Sequence, residues 1–172
     1  VVNDYLPIIV SLIFVTISIA LTTCFKEIYP INKEKAKTMV TRIKEYKEID
    51  EKIYSFEHKS GLKVYLLSKK DFQKNYALFA TNFGSVDSAY REGEKLTQIP
   101  DGTAHFLEHK MFEQENGTNS LDTLTALGVN ANAYTTNNYT TYLFEATDNF
   151  YPALDELMDY VQKPYFTDEN VE

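Results

Sequence analysis

From Tyr5 to Phe25 the chain runs twenty-one residues without a charge, YLPIIVSLIFVTISIALTTCF. At about 1.5 Å per residue a helix of that length spans roughly 31 Å, the thickness of one hydrocarbon core. Helices of ordinary soluble domains carry a polar stripe, and this segment has none. Three readings fit the run: a membrane helix, a signal segment removed on export, and upstream sequence wrongly joined to the chain. A signal segment carries a basic leader, whereas only Asp4 precedes this run, so a single N-terminal membrane helix over residues 1–25 is the expectation. Lys26, Lys33, Lys35, Lys37, Arg42 and Lys44 come after the span and no basic residue precedes it. This excess of basic residues places the C-terminal side of the span in the cytoplasm. The expected protein is therefore anchored in a membrane through residues 5–25 with a cytoplasmic domain, or soluble and cytoplasmic if the N-terminal segment is misassigned.

Residues 26–51 read as a basic linker helix, with Met39, Val40, Ile43 and Tyr46 at helical spacing. The globular part is expected over residues 52–172. There KIYSFEHKSGLKVYLLSK alternates as two strands about a turn at residues 59–61, and NYALFATNFGS is a third strand rich in aromatic residues. Residues 86–101 read as a polar loop closed by Pro100, Asp101 and Gly102, which announce a helix running to about Phe112. A second helix, NSLDTLTAL, stops at Gly128. VNANAYTT and YTTYLFEAT form a hairpin about Asn137 and Asn138, and NFYPALDELMDYVQK is amphipathic at helical spacing. Strands come in a run, then two helices, then a hairpin, then a helix. That order predicts an α+β fold, an antiparallel or mixed sheet with helices packed on one face.

Net charge excludes one class of partner. At −8, with no clustered Lys and Arg in the globular part, the chain is not built to hold phosphates, and no nucleic-acid partner is expected. Cys24 is the single cysteine, so any bound metal must be held by nitrogen and oxygen.

Two of the three histidines fall in PDGTAHFLEHKMFE. His105 and His109 stand four apart, so on a helix both rings occupy one face a turn apart. That spacing lets two imidazoles reach one tetrahedral zinc ion at about 2.0–2.1 Å each. Glu108 sits about 60° round the helix, where its carboxylate can take a proton from a zinc-activated water as that water attacks a carbonyl. The bland alternative is a helix with two incidental histidines and a solvated glutamate. His58 lies outside every motif and reads as a half-exposed strand residue.

GTAHFLEH, together with NANAYTT, FGSVD and ALDELMDYVQKPYFTDENVE, resembles the N-terminal domain of the pitrilysin/insulinase-type zinc metallopeptidases, whose motif is H-x-x-E-H. The resemblance runs from about Lys52 to Glu172 and is nearest to bacterial members, with Lys110 where Met is more usual. It implies zinc-dependent hydrolysis of peptide bonds, with Zn²⁺ held by His105 and His109 and Glu108 as general base. It also implies that Asn132, Ala133, Tyr134 and Thr135 form a sheet edge that takes a peptide substrate as an added strand. For Asn130 and Asn132 plain strand polarity is the competing reading. The point where the match stops sets two expectations. A third ligand, a glutamate in the family, is expected beyond Glu172, and so is the second homologous half, or a partner subunit, that closes over substrate. The 172 residues alone are accordingly expected to be inactive. The competing function is a non-catalytic peptide-binding or partner subunit of the same fold.

Overall fold

A computed structural model describes residues 42–58, 61–69 and 71–171. These fall into two units, residues 42–72 and residues 73–171. The expected membrane helix lies outside the described residues, as does the linker up to residue 41. Among the described residues no helix is long and apolar enough to cross a membrane.

The first unit is an antiparallel sheet of β1 (Arg42–Tyr46), β2 (Glu51–Glu57) and β3 (Lys63–Leu67), in that order. The expected linker helix is corrected here: residues 42–46 are a strand, followed by a 3₁₀ turn at Lys47–Ile49 and Asp50 in the left-handed region. The helical spacing of Ile43 and Tyr46 needed an apolar surface to bury against, yet Ile43 is 55% exposed. Pairing with β2 satisfies the main chain of β1 instead, and it sets Glu45 opposite Lys52, whose ammonium lies 2.7 Å from the carboxylate. Among the described residues the sheet thus already includes Arg42–Tyr46, inside the stretch expected to be linker, and His58, just past β2, is buried rather than half-exposed.

The second unit holds β4 (Asn75–Thr81), a short hairpin of β5 (Ala89–Glu92) and β6 (Lys95–Gln98), and helices α1 (Thr103–Lys110) and α2 (Ser120–Ala126). Then come β7 (Asn130–Thr135), β8 (Thr140–Ala146), α3 (Phe150–Tyr160) and α4 (Asp168–Val171). Its main sheet has the order β4-β8-β7, every pair antiparallel. The β5–β6 hairpin occupies the stretch expected to be a polar loop. Its strands are four residues each and mostly exposed, so no apolar alternation marks them.

Register decides which side chains share a face. Thr135 opposes Thr140, Ala133 opposes Tyr142 and Ala131 opposes Phe144, while Phe79 and Ala77 of β4 flank the same two aromatic residues. The helices meet the sheet through this face. Phe112, just past α1, packs its ring 5.9 Å from Tyr142 and 5.2 Å from Tyr160 of α3, and Phe144 lies 5.5 Å from Phe150. In α3 the buried residues Ala153, Leu157 and Tyr160 recur at helical spacing, as its amphipathic sequence requires. The opposite face carries Tyr76 and Leu78, 58% and 49% exposed. The fold is mixed α+β, with antiparallel pairing throughout the described strands and helices gathered on one face of the β4-β8-β7 sheet.

Candidate metal centre and general base

The helix that carries the motif starts on a turn only glycine makes easily. Gly102 stands at φ 84°, and the Thr103 hydroxyl donates to the Pro100 carbonyl at 2.6 Å. From there Ala104, Leu107, Glu108 and Met111 are buried, at the i, i+3, i+4, i+7 spacing of a core-facing stripe. His105 and His109 fall on the edge of that stripe and are exposed. Their Nε2 atoms lie 3.0 Å apart, with ring centroids at 4.8 Å. On a tetrahedral zinc with bonds of about 2.0–2.1 Å the two nitrogens stand roughly 3.3–3.4 Å apart. A small ring rotation reaches that geometry.

Glu108 belongs to the buried stripe, only 6% exposed. The Thr135 hydroxyl of β7 donates to its Oε2 at 2.8 Å. Behind it, Thr135 Oγ1 lies 3.3 Å from Thr140 Oγ1, and Thr140 in turn donates to the Phe83 carbonyl at 2.8 Å. Tyr142 stands close enough that its phenol is held well above its usual range, first by burial and then by the Glu108 charge. A carboxylate this deep, given one hydroxyl donor among the described residues, calls for a positive partner. The two converging imidazole nitrogens beside it supply the place where a cation fits. A third protein ligand is not among the described residues, where no group of three metal-binding side chains occurs.

A loop holds the hairpin that delivers Thr135. Ser85 N–H donates to the Thr136 carbonyl at 2.9 Å and Val86 N–H to the Asn137 carbonyl at 3.1 Å, while the Asp87 carboxylate accepts from Gly84 N–H at 2.7 Å. A Cβ on Gly84 would come within 2.4 Å of the Asn137 carbonyl oxygen, so no side chain fits there.

His105, Glu108, His109, Asn132, Ala133, Tyr134 and Thr135 all line one cleft of about 470 Å³. Phe112, Asn119 and Leu121 line it too, and sequence reasoning did not single them out. Their own signals were structural: Asn119 caps α2 by accepting from Leu121 N–H at 2.9 Å, and Leu121 reads as one of that helix's apolar positions. β7 is the edge strand of its sheet, and its Ala133 N–H is met by the side-chain oxygen of Asn132 at 2.9 Å. Asn130 is turned to another task. Its amide donates to Glu145 at 3.0 Å, and that bond, then the one from Lys74, keeps the Glu145 carboxyl below its usual range. The Asn130 side chain is thus engaged with the neighbouring strand β8.

The second unit is thus an α+β domain that presents a helix-borne H-x-x-E-H beside an edge strand. The chain belongs to the insulinase family, peptidase family M16, which it matches over residues 68–172. It is 44% identical over 130 residues to YmfH of Bacillus subtilis (strain 168), described as a zinc protease and otherwise uncharacterized; the match covers 74% of this chain and 30% of that protein. It is 33% identical over 111 residues to the insulin-degrading enzyme-like 2 protein of Arabidopsis thaliana, covering 62% of this chain and 11% of that one. Among solved structures, an M16-like peptidase from Alicyclobacillus acidocaldarius superposes with a TM-score of 0.65 at 38% identity, over 70% of this chain and 28% of that one. Pitrilysin shares the fold, with a TM-score of 0.59 at 20% identity over 75% of this chain and 13% of its own. The chain thus spans under a third of the length of these relatives.

Proposed function

We propose that this chain is the catalytic N-terminal portion of a zinc-dependent peptidase that hydrolyses peptide bonds. The observation that carries the reading is the convergence of two imidazole nitrogens, a buried carboxylate and a sheet edge on a single cleft. His105 and His109 would hold the zinc, with a third ligand supplied from outside the described residues. When bound, the metal supplies Lewis acidity towards water and the scissile carbonyl. Glu108 accepts the proton of the attacking water and passes it to the departing amine, which its place on the same helix face allows. The edge of β7 takes the peptide main chain as an added strand, a mode that tolerates many side chains because the backbone makes the bonds. A peptide doing so displaces the Asn132 oxygen from Ala133 N–H. A second homologous half, or a partner subunit, would cover the cleft and exclude water.

Anchoring through residues 5–25 with the peptidase on the cytoplasmic side belongs to the same proposal and rests on charge distribution in the sequence alone. The test of the activity is chelation of the full-length protein. Peptide cleavage should stop when the metal is removed and return with about one equivalent of zinc per active half. Cleavage that persists in excess chelator, with no metal left on the protein, refutes the reading.

A further inference from the structure

We infer that Thr135 is a positioning residue that aims the Glu108 carboxylate by donating its one hydroxyl hydrogen to it, while the neighbouring Thr140 hydroxyl commits its own hydrogen to the Phe83 carbonyl. The inference rests on the peptidase reading and assigns the Thr135 side chain away from the peptide. A hydroxyl has one hydrogen to donate, and a carbonyl can only accept. Thr140 Oγ1 lies 2.8 Å from the Phe83 carbonyl, so its hydrogen is committed there. The Thr135 hydrogen then has two acceptors to choose from: Thr140 Oγ1 at 3.3 Å and Glu108 Oε2 at 2.8 Å. The shorter contact, to a carboxylate, wins, because charge-assisted bonds are the stronger ones. Thr140 is 2% exposed and Glu108 6%, so little water competes for either end.

The result is a carboxylate held by one oxygen, with the other left for chemistry. A glutamate side chain has three rotatable bonds, and this single bond removes most of their freedom at the reacting end. Register makes it possible. Thr135 opposes Thr140 directly, and a slip of one residue would turn Thr135 to the far face of the sheet. The loop at Gly84 and Ser85 closes on the hairpin turn and guards against that slip.

The experiment compares Thr135→Val, which keeps the shape and loses the hydroxyl, with Thr135→Ser, which keeps the hydroxyl, in the full-length zinc-loaded protein. Thr135→Val should lower kcat by about 10- to 100-fold, the scale of a misplaced catalytic group, with KM unchanged. Thr135→Ser should restore most of that loss, and zinc content should stay at the wild-type level in both. As a readout free of turnover, adding Thr135→Val to Glu108→Gln should leave affinity for an uncleaved peptide unchanged. Full kcat in Thr135→Val, equal damage from Thr135→Ser, or weakened peptide binding in the double variant overturns the inference. Should Thr135→Val not fold, Thr135→Ala must show the same loss of kcat, and wild-type kcat there also overturns it. Those failures leave a Glu108-dependent peptidase standing. Undiminished cleavage by Glu108→Gln alone brings down both readings together.

Discussion

The two three-stranded sheets among the described residues have strands of similar length and different means of support. In β1-β2-β3 the side chains are largely open: Tyr65 is 66% exposed, Leu67 51% and Ile43 55%. Main-chain pairing, surface ion pairs such as Lys69 with Glu51 at 2.8 Å, and one buried apolar residue on its described strands, Phe56, hold it. In β4-β8-β7 the central strand is sealed, with Phe144 at 0% and Tyr142 at 2% exposure, and rings from two helical segments close on it. A strand held by its main chain alone can slide by two residues with little loss. A strand whose alternate side chains fill a core cannot. The site is built on the second kind, where Thr135 reaches Glu108 only in one register.

The largest effect should come from emptying the sealed face. Phe144→Ala should cost about 3–5 kcal/mol, the usual range for deleting a buried aromatic ring. Tyr65→Ala, on the open sheet, should change stability by less than about 0.5 kcal/mol. Chemical denaturation of the two variants side by side reads the contrast, and similar losses would erase it. Next in size is Gly84→Ala. With backbone atoms at 2.4–2.6 Å from the new carbon, the loop must back away from the hairpin, at a cost of about 1–3 kcal/mol. Amide exchange should quicken at residues 136–139 and hold steady in β1-β2-β3.

A smaller, pH-dependent effect distinguishes the two sheets as well. Burial is the main cause that lifts Tyr142 and Tyr160 above the ordinary phenol value of 10.0. Because the folded values lie higher, the neutral phenols lend their full stability below about pH 10 and lose it as pH climbs towards those folded values. Melting temperature should therefore fall steeply above pH 10. In Tyr160→Phe that fall should be shallower, and at neutral pH the change should be mild, since the Tyr160 hydroxyl is buried with no hydrogen-bond partner among the described residues. Smallest of all is Lys52→Ala on the open sheet, which should leave the melting temperature where it was.

Much of the sealed unit was legible because its periodicities are strong. The β7–β8 hairpin turns at Asn137 and Asn138, α2 stops just before Gly128, and α3 follows its apolar spacing to Tyr160, with Pro164 beyond. The pair His105 and His109 was legible from helical geometry. What escaped were β1 and the β5–β6 hairpin, whose exposed polar strands carry no pattern, and the partnership of β4 with β8, two strands far apart in the chain. The Thr135 contact to Glu108 escaped for a similar reason. It depends on the register of two strands and the placement of a helix upon them, and neither is local in sequence.

The central claim is that the motif divides its labour, with the two histidines holding metal and Glu108 moving protons. Zinc stoichiometry, measured together with peptide cleavage on the full-length protein, tests this most directly. Glu108→Gln should retain the wild-type zinc content and lose hydrolysis, because it removes the base and leaves both imidazoles. His105→Ala should lose zinc and hydrolysis together. Equal loss of zinc in the two variants, or cleavage that survives Glu108→Gln, would contradict the account.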